Sequence, residues 1–249
     1  MHRRIFIGDV HGHFDGLMQL LEKLDLASED QVYFVGDLID RGPQSAHVVD
    51  YVRQHQHPCV LGNHEQLLLN ALAQNQMSGQ ALHGWLYSGG QATLSSYNNN
   101  LERLEEHLDW FRQLPIYLDL GDVWLVHAGV DPTLQVTEQT AEECCWIRDI
   151  FHRNPNPYFA DKLIVTGHTI TFTFPDIPTG QIVEGPGWLD IDTGAYHPKS
   201  GWLTAVDLDN EQVHQFNVFE FVHRTRSLQE SCSPYTTSRN RSRKRTPVM

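Results

Sequence analysis

Residues 4–12 read RIFIGDVHG: an arginine and three apolar residues that run into Gly8, then a carboxylate and an imidazole. A short β-branched and aromatic run stopped by glycine predicts a buried strand. The plan repeats in residues 31–42, QVYFVGDLIDRG, and in residues 59–65, CVLGNHE. A helix is predicted after each strand. In residues 13–25, Leu17, Leu20, Leu21 and Leu24 recur at helical spacing. Gly42-Pro43 opens a second helix over about residues 44–56, and Pro58 stops it; a third runs from Asn63 to about Gln76. Strand and helix alternating three times predict an α/β fold with a parallel sheet and crossover helices.

In open α/β sheets, ligands bind beyond the carboxyl ends of the strands. Each predicted strand here delivers polar groups to that end: Asp9 and His11, then Asp37, Asp40 and Arg41, then Asn63, His64 and Glu65. Two later segments, HAG at 127–129 and GHT at 167–169, add His127 and His168. Singly these mean little, since a GD pair is often a turn and a lone histidine is often core. Together they form a mixed carboxylate, imidazole and amide donor set, which suits Mn, Fe, Zn or Co rather than a thiolate-bound metal. Six ligands are too many for one catalytic ion with an open position, so two ions are expected, with Asp37 able to bridge them.

The remaining chain is read around this constellation. Residues 77–114 look helical, with a Gly89-Gly90 break, an Asn98–Asn100 loop and a stop at Pro115, and are expected to form a cap or insertion. A hairpin is predicted at 116–120 and 123–127 around Gly121-Asp122, a helix at 138–152, and strands at 163–166, 188–193, 202–207 and 212–221. The 249 residues are 40% apolar and 20% charged, which excludes wholesale disorder. No apolar run is long enough for a membrane span, and the N-terminal one is too short for a signal peptide, so a cytoplasmic protein is expected. The four cysteines are scattered, which argues against a disulfide framework. The net charge is −13, yet residues 224–249 hold seven Lys and Arg against one acid. They are expected to be a basic disordered tail after a domain spanning 1–223.

The ordered set GDVHG, GDLIDRG, GNHE, HAG and GHT resembles the calcineurin-like, PPP-type metallophosphoesterases, and most of all the small bacterial and phage serine/threonine phosphatases. The resemblance spans roughly residues 4–221 and also takes in IDTG at 191–194 and GWLTAVDL at 201–208. It implies a sandwich of two mixed β-sheets flanked by helices. It places Asp9, His11 and Asp37 on one metal, and Asp37, Asn63, His127 and His168 on a second. His64 is implied as general acid, oriented by Asp40, with Arg41 and Arg148 binding phosphate. The implied cofactors are two divalent ions, manganese first, with Fe, Zn, Co or Ni also suited. The implied reaction is hydrolysis of phosphoserine and phosphothreonine esters, extending to phosphotyrosine, by attack of a hydroxide shared by the metals.

The alternative substrate is a bis(5'-nucleosyl) tetraphosphate such as diadenosine tetraphosphate, because diadenosine tetraphosphatases share most of this pattern. Asp40 and Glu65 are read as favouring the protein phosphatases. A non-catalytic metal-binding scaffold is the less favoured reading, since the ligands, the acid and its partner are all present. The expected partner is a phosphorylated protein or a small phosphoester, with no membrane partner and nucleic acid only through the basic tail. A monomer is expected.

Overall fold

Ile5, Phe6 and Ile7 are fully buried because strand β1 (Arg4–Ile7) has a neighbour on each side. In this computed structural model, which describes residues 3–73 and 79–235, β1 pairs in parallel with β2 (Gln31–Phe34), Ile5 opposite Val32. On its other edge it pairs antiparallel with β8 (Trp202–Asp207), Phe6 opposite Val206. Strands β9 (Gln212–Asn217) and β10 (Val222–Ser227) extend this five-stranded sheet in the order β10-β9-β8-β1-β2. A six-stranded sheet is built from β3 (Tyr117–Asp119), β4 (Val123–Val126), β5 (Leu163–Thr166), β6 (Ile182–Gly185), β7 (Trp188–Asp190) and β11 (Cys232–Pro234). Its order is β11-β6-β7-β5-β4-β3.

Side chains alternate across a strand, so β1 feeds two layers. Phe6 joins Tyr33, Val206, Leu125, Val165 and Leu189 between the sheets. Ile5 and Ile7 point the other way, into a core shared with α1 (Phe14–Leu24) and α2 (Ser45–Gln54). That core also holds leucines of α3 (Asn63–Ala71) and Trp85 of α4 (Gly79–Trp85). The outer face of the second sheet buries Trp124, Ile164 and Trp188 with Cys144 and Phe151, from α7 (Ala141–Trp146) and α8 (Asp149–His152). The result is the implied sandwich of two mixed sheets with flanking helices. All four cysteines are free.

Several elements depart from the sequence reading. The predicted third strand at 59–62 makes one parallel bridge, Cys59 with Phe34, and no regular strand. The sheets are mixed because β8, β9 and β10 in the first, and the β3–β4 and β6–β7 pairs in the second, are joined by turns too short for a crossover and must run antiparallel. The helix expected over 138–152 breaks at Ile147, which is extended, and Arg148. The segment 79–111 is helical as read, but a π turn over Leu86–Gly90 links α4 to α5 (Gln91–Ser96), ahead of α6 (Leu101–Phe111). The boundary at 223 also moves. Arg224 and Arg226 lie in β10, and β11 crosses to the other sheet, Cys232 opposite Ile182. Edge strands can be polar on an exposed face, so these carry little apolar alternation to read. Residues 236–249 lie outside the described residues. Among the described residues no helix is long and apolar enough to cross a membrane.

Candidate active site

The loops after β1 and β2 are stitched together by their backbones. Val10 and His11 N–H both donate to the Asp37 carbonyl, at 3.1 and 2.9 Å, and Gly12 N–H donates to Leu38. Five non-glycine residues here hold positive φ: His11 46°, Asp37 49°, Asp40 70°, Arg41 71° and His168 68°. L-residues seldom adopt this region, and such strain gathers at functional sites. Two glycines make room. A Cβ on Gly62 would lie 2.3 Å from Asp37 Oδ1, and one on Gly167 would lie 2.1 Å from Asp9 Oδ1.

Asp37 is the centre of the arrangement. His11 Nε2 lies 3.6 Å from Asp37 Oδ2, and His127 Nε2 lies 3.4 Å from Oδ1. The His64 N–H, in the first turn of α3, donates to Oδ1 at 3.0 Å. Two groups of donor atoms, each within 4.8 Å of one another, share this residue: His11, Asp37 and His64, and Asp37, His127 and His168. Asp9 stands beside the first group, 4.0 Å from His11 Nε2, and accepts the His168 N–H. Asn63 Oδ1 lies between His127 Nε2, at 2.9 Å, and His168 Nδ1, at 2.8 Å. All six candidate metal ligands are thus brought together and buried.

The donor chemistry fits a cation. The His127 Nδ1–H donates to the Val35 carbonyl at 2.7 Å, and the His11 Nδ1–H donates to Ile39 at 2.9 Å. A neutral imidazole has one N–H, so each Nε2 points a lone pair at carboxylate or amide oxygen. His168 Nε2 is buried without a partner. Burial holds His11 and His168 well below their usual pKa, with the Arg41 charge adding to the effect at His11 and His127 at His168; burial lowers His127 too. These imidazoles are therefore free to ligate at neutral pH. Burial, then the Asp192 and Asp37 charges, pushes Asp9 well above the usual carboxylate range. Crowded buried carboxylates facing imidazole lone pairs are what divalent ions stabilise.

His64 Nδ1–H donates to Asp40 Oδ2 at 2.7 Å, leaving Nε2 toward the site, 2.8 Å from Arg41 Nη2. The other Arg41 nitrogen, Nη1, lies 2.9 Å from His11 Nε2. Arg148 stands at the exposed rim, where Nη1 donates to Thr169 Oγ1 at 2.8 Å and to the His168 carbonyl.

Trp85 and Thr93 support the site and escaped the sequence reading. Trp85 Nε1–H and Thr93 Oγ1–H both donate to the Asp40 carboxylate, which is fully buried. Nothing in the sequence links the helical segment 79–111 to Asp40. Glu65 was noted for substrate class, but its carboxylate accepts the N–H groups of Gly62, Asp37, Leu38 and Ile39. A glutamate three residues past a helix start is a capping signal. Tyr196 carries the Arg41 guanidinium 3.9 Å above its ring.

The family model for calcineurin-like phosphoesterases matches residues 2–194. The chain belongs to this family. A metallophosphoesterase of Sphaerobacter thermophilus shares the fold, with a TM-score of 0.53 at 19% identity over 83% of this chain and 84% of that one. So does a serine/threonine phosphatase of Saccharomyces cerevisiae, with a TM-score of 0.55 at 16% identity over 87% and 73%. At that identity the likeness concerns fold alone. A protein of Hamiltonella defensa named symmetrical bis(5'-nucleosyl)-tetraphosphatase is 33% identical over 162 residues, 63% of this chain and 54% of that protein. Proteins of Shewanella and Nitrosococcus oceani with the same name are also 33% identical. The chain spans about half the length of these curated relatives. Their name overturns the expectation of a phosphoserine/phosphothreonine phosphatase. The physical reason lies in the two residues that supported it. Glu65 is taken up by four amides, and Asp40 by His64, Trp85 and Thr93, so neither carboxylate faces a substrate.

Proposed function

We propose that this chain hydrolyses bis(5'-nucleosyl) tetraphosphates symmetrically, to two nucleoside diphosphates, with two divalent metal ions. The observation that carries the substrate class is the 33% identity to proteins bearing that name. Asp9, His11 and Asp37 would hold one ion, and Asp37, Asn63, His127 and His168 the other; manganese suits these donors. Bound there, the ions would activate water and neutralise charge on the phosphoryl oxygens. The protein's own groups do the rest. His64 Nε2 faces the site to deliver a proton to the departing diphosphate oxygen. Asp40 fixes the ring through Nδ1–H and stabilises the imidazolium that gives up this proton. Arg41 and Arg148 offer planar donor forks to phosphate oxygens, Arg41 from beside the histidines and Arg148 from the rim. The helical segment over 79–111 serves as a clasp, since it supplies Trp85 and Thr93 to Asp40.

The test is product analysis. Protein stripped with chelator and resupplied with Mn²⁺ should convert diadenosine tetraphosphate to ADP alone. ATP plus AMP, or no cleavage by a preparation that hydrolyses p-nitrophenyl phosphate, would overturn the reading.

A further inference from the structure

A row of rings leaves the site on one side. The Tyr196 ring stands edge-on to His11, with centres 4.8 Å apart. His197 follows, 6.0 Å from Tyr196, and Phe172 stands 4.9 Å from His197. Lys199 Nζ lies 4.7 Å from the Phe172 ring centre. Tyr196, His197 and Phe172 are half-buried, and Lys199 is exposed. No ion pair to Lys199 is found among the described residues.

The row rests on two interlocked loops. Phe172 lies in the short turn after the candidate ligand His168, and the other residues lie in the loop after β7. Thr171 N–H donates to the Asp192 carbonyl at 2.8 Å, tying the loops together. At the base, Gly194 has φ +79°, and a Cβ there would lie 2.9 Å from Ile170 and 3.2 Å from Phe172. Lys199 N–H donates to His197 Nδ1 at 3.1 Å, which fixes the ring and the cation in one turn. The rings are therefore held from behind and remain half-exposed.

From this geometry we infer that Tyr196, His197, Phe172 and Lys199 form the subsite for one nucleoside half of the substrate. The inference rests on the proposed function and deepens it. Half-buried rings in series offer π-faces to a base without reading its edge, which suits a substrate class defined by "nucleosyl" rather than by one base. Arg41 on Tyr196 and Lys199 on Phe172 place cations at both ends of the row, in a chain of net charge −13. A ligand that is aromatic at one end and polyanionic along its length matches that alternation. The exposed Lys199 ammonium is the part a base can displace from Phe172, moving onto a phosphate as it does so.

The test compares ligands with and without a base. Phe172→Leu, which keeps bulk against Gly194, and His197→Ala are each assayed with the full chain. Loss of one stacking ring should raise KM for diadenosine tetraphosphate roughly 5- to 150-fold. The inhibition constant of ADP should rise in parallel, while that of inorganic phosphate and the KM of β-glycerophosphate, neither of which carries a ring, should move less than about twofold. Lys199→Ala should weaken ADP more than adenosine. If base-containing and base-free ligands shift together, or neither shifts, the subsite is refuted. If the wild type fails to cleave diadenosine tetraphosphate yet turns over p-nitrophenyl phosphate, the proposed function falls. The comparison of ADP with phosphate still judges the subsite in that case.

Discussion

Replacing Asp40 by asparagine separates the charge of this carboxylate from its shape. Oδ2 accepts from His64 Nδ1 at 2.7 Å and Trp85 Nε1 at 3.0 Å, and Oδ1 accepts from Thr93 Oγ1 at 2.7 Å. An asparagine has one orientation that survives: its oxygen toward His64 and Trp85, and its NH₂ toward Thr93. The Thr93 hydroxyl can then turn to Ser45 Oγ, 3.0 Å away. The fold should stand at a cost of about 1–3 kcal/mol, the range for weakening a buried charge-assisted hydrogen bond. The His64 ring keeps its place but loses the negative charge that stabilises its protonated form. Loss of effective general-acid catalysis lowers kcat by about 10²–10⁴. That full loss is expected for an alkyl phosphate such as β-glycerophosphate, whose leaving oxygen is strongly basic. For p-nitrophenyl phosphate and for a departing nucleoside diphosphate the loss should be much smaller. The assay is kcat across the three substrates with urea unfolding alongside. An equal fall on all three, in a protein of near wild-type stability, would refute the assignment of His64 and Asp40 as acid and orienting partner.

Further perturbations test the scaffold. Glu65→Gln puts an NH₂ among four backbone N–H donors; it should cost about 3 kcal/mol in urea unfolding and weaken Mn²⁺ binding by calorimetry. His152 is held down to about 4, by burial first and then by Arg148. The unfolded chain thus takes up its proton near pH 6.5 while the native state resists, so stability falls as pH drops through that window. His152→Asn should remove about 2–3 kcal/mol of the stability difference between pH 6.5 and 4.5, at 1.36 kcal/mol per unit; an unchanged difference refutes the assignment. Truncation after residue 227 strips β11 from β6 and should lower Tm by several degrees by calorimetry; a wild-type Tm would refute a stabilising role for that pairing.

The parts of the site legible in the sequence are those built by strand ends. Asp9, Asp37 and Asn63 each follow a short apolar run and a glycine, so their convergence is a consequence of sheet geometry. His127 and His168 follow β4 and β5 in the second sheet, and only the joint pattern pointed to them. The supports were illegible because they act across long separations: Thr93 reaches Asp40 from 53 residues away and Trp85 from 45. The left-handed backbone at His11, Asp37 and Asp40 was equally hidden, since no glycine marks those positions. Polarity concealed β10 and β11, where pairing across an edge decides the structure. Substrate class was misread because Asp40 and Glu65 read as marks of the protein phosphatases, when both are engaged by the protein itself.

The position of β1 between β2 and β8 has a consequence for synthesis. Asp9 and the His168 amide that it accepts are 159 residues apart, and β8 lies further along still. At ~5–20 residues per second, roughly 10–30 s separate their appearance on a ribosome. Throughout that interval the apolar strand Ile5–Ile7 has one open edge, and the donor set has no second half. A nascent chain therefore presents an unpaired strand to its neighbours before it can gain stability from a metal. Fragments ending before Trp202 should accumulate as aggregates, and holdase chaperones should favour the chain's first half over the finished protein.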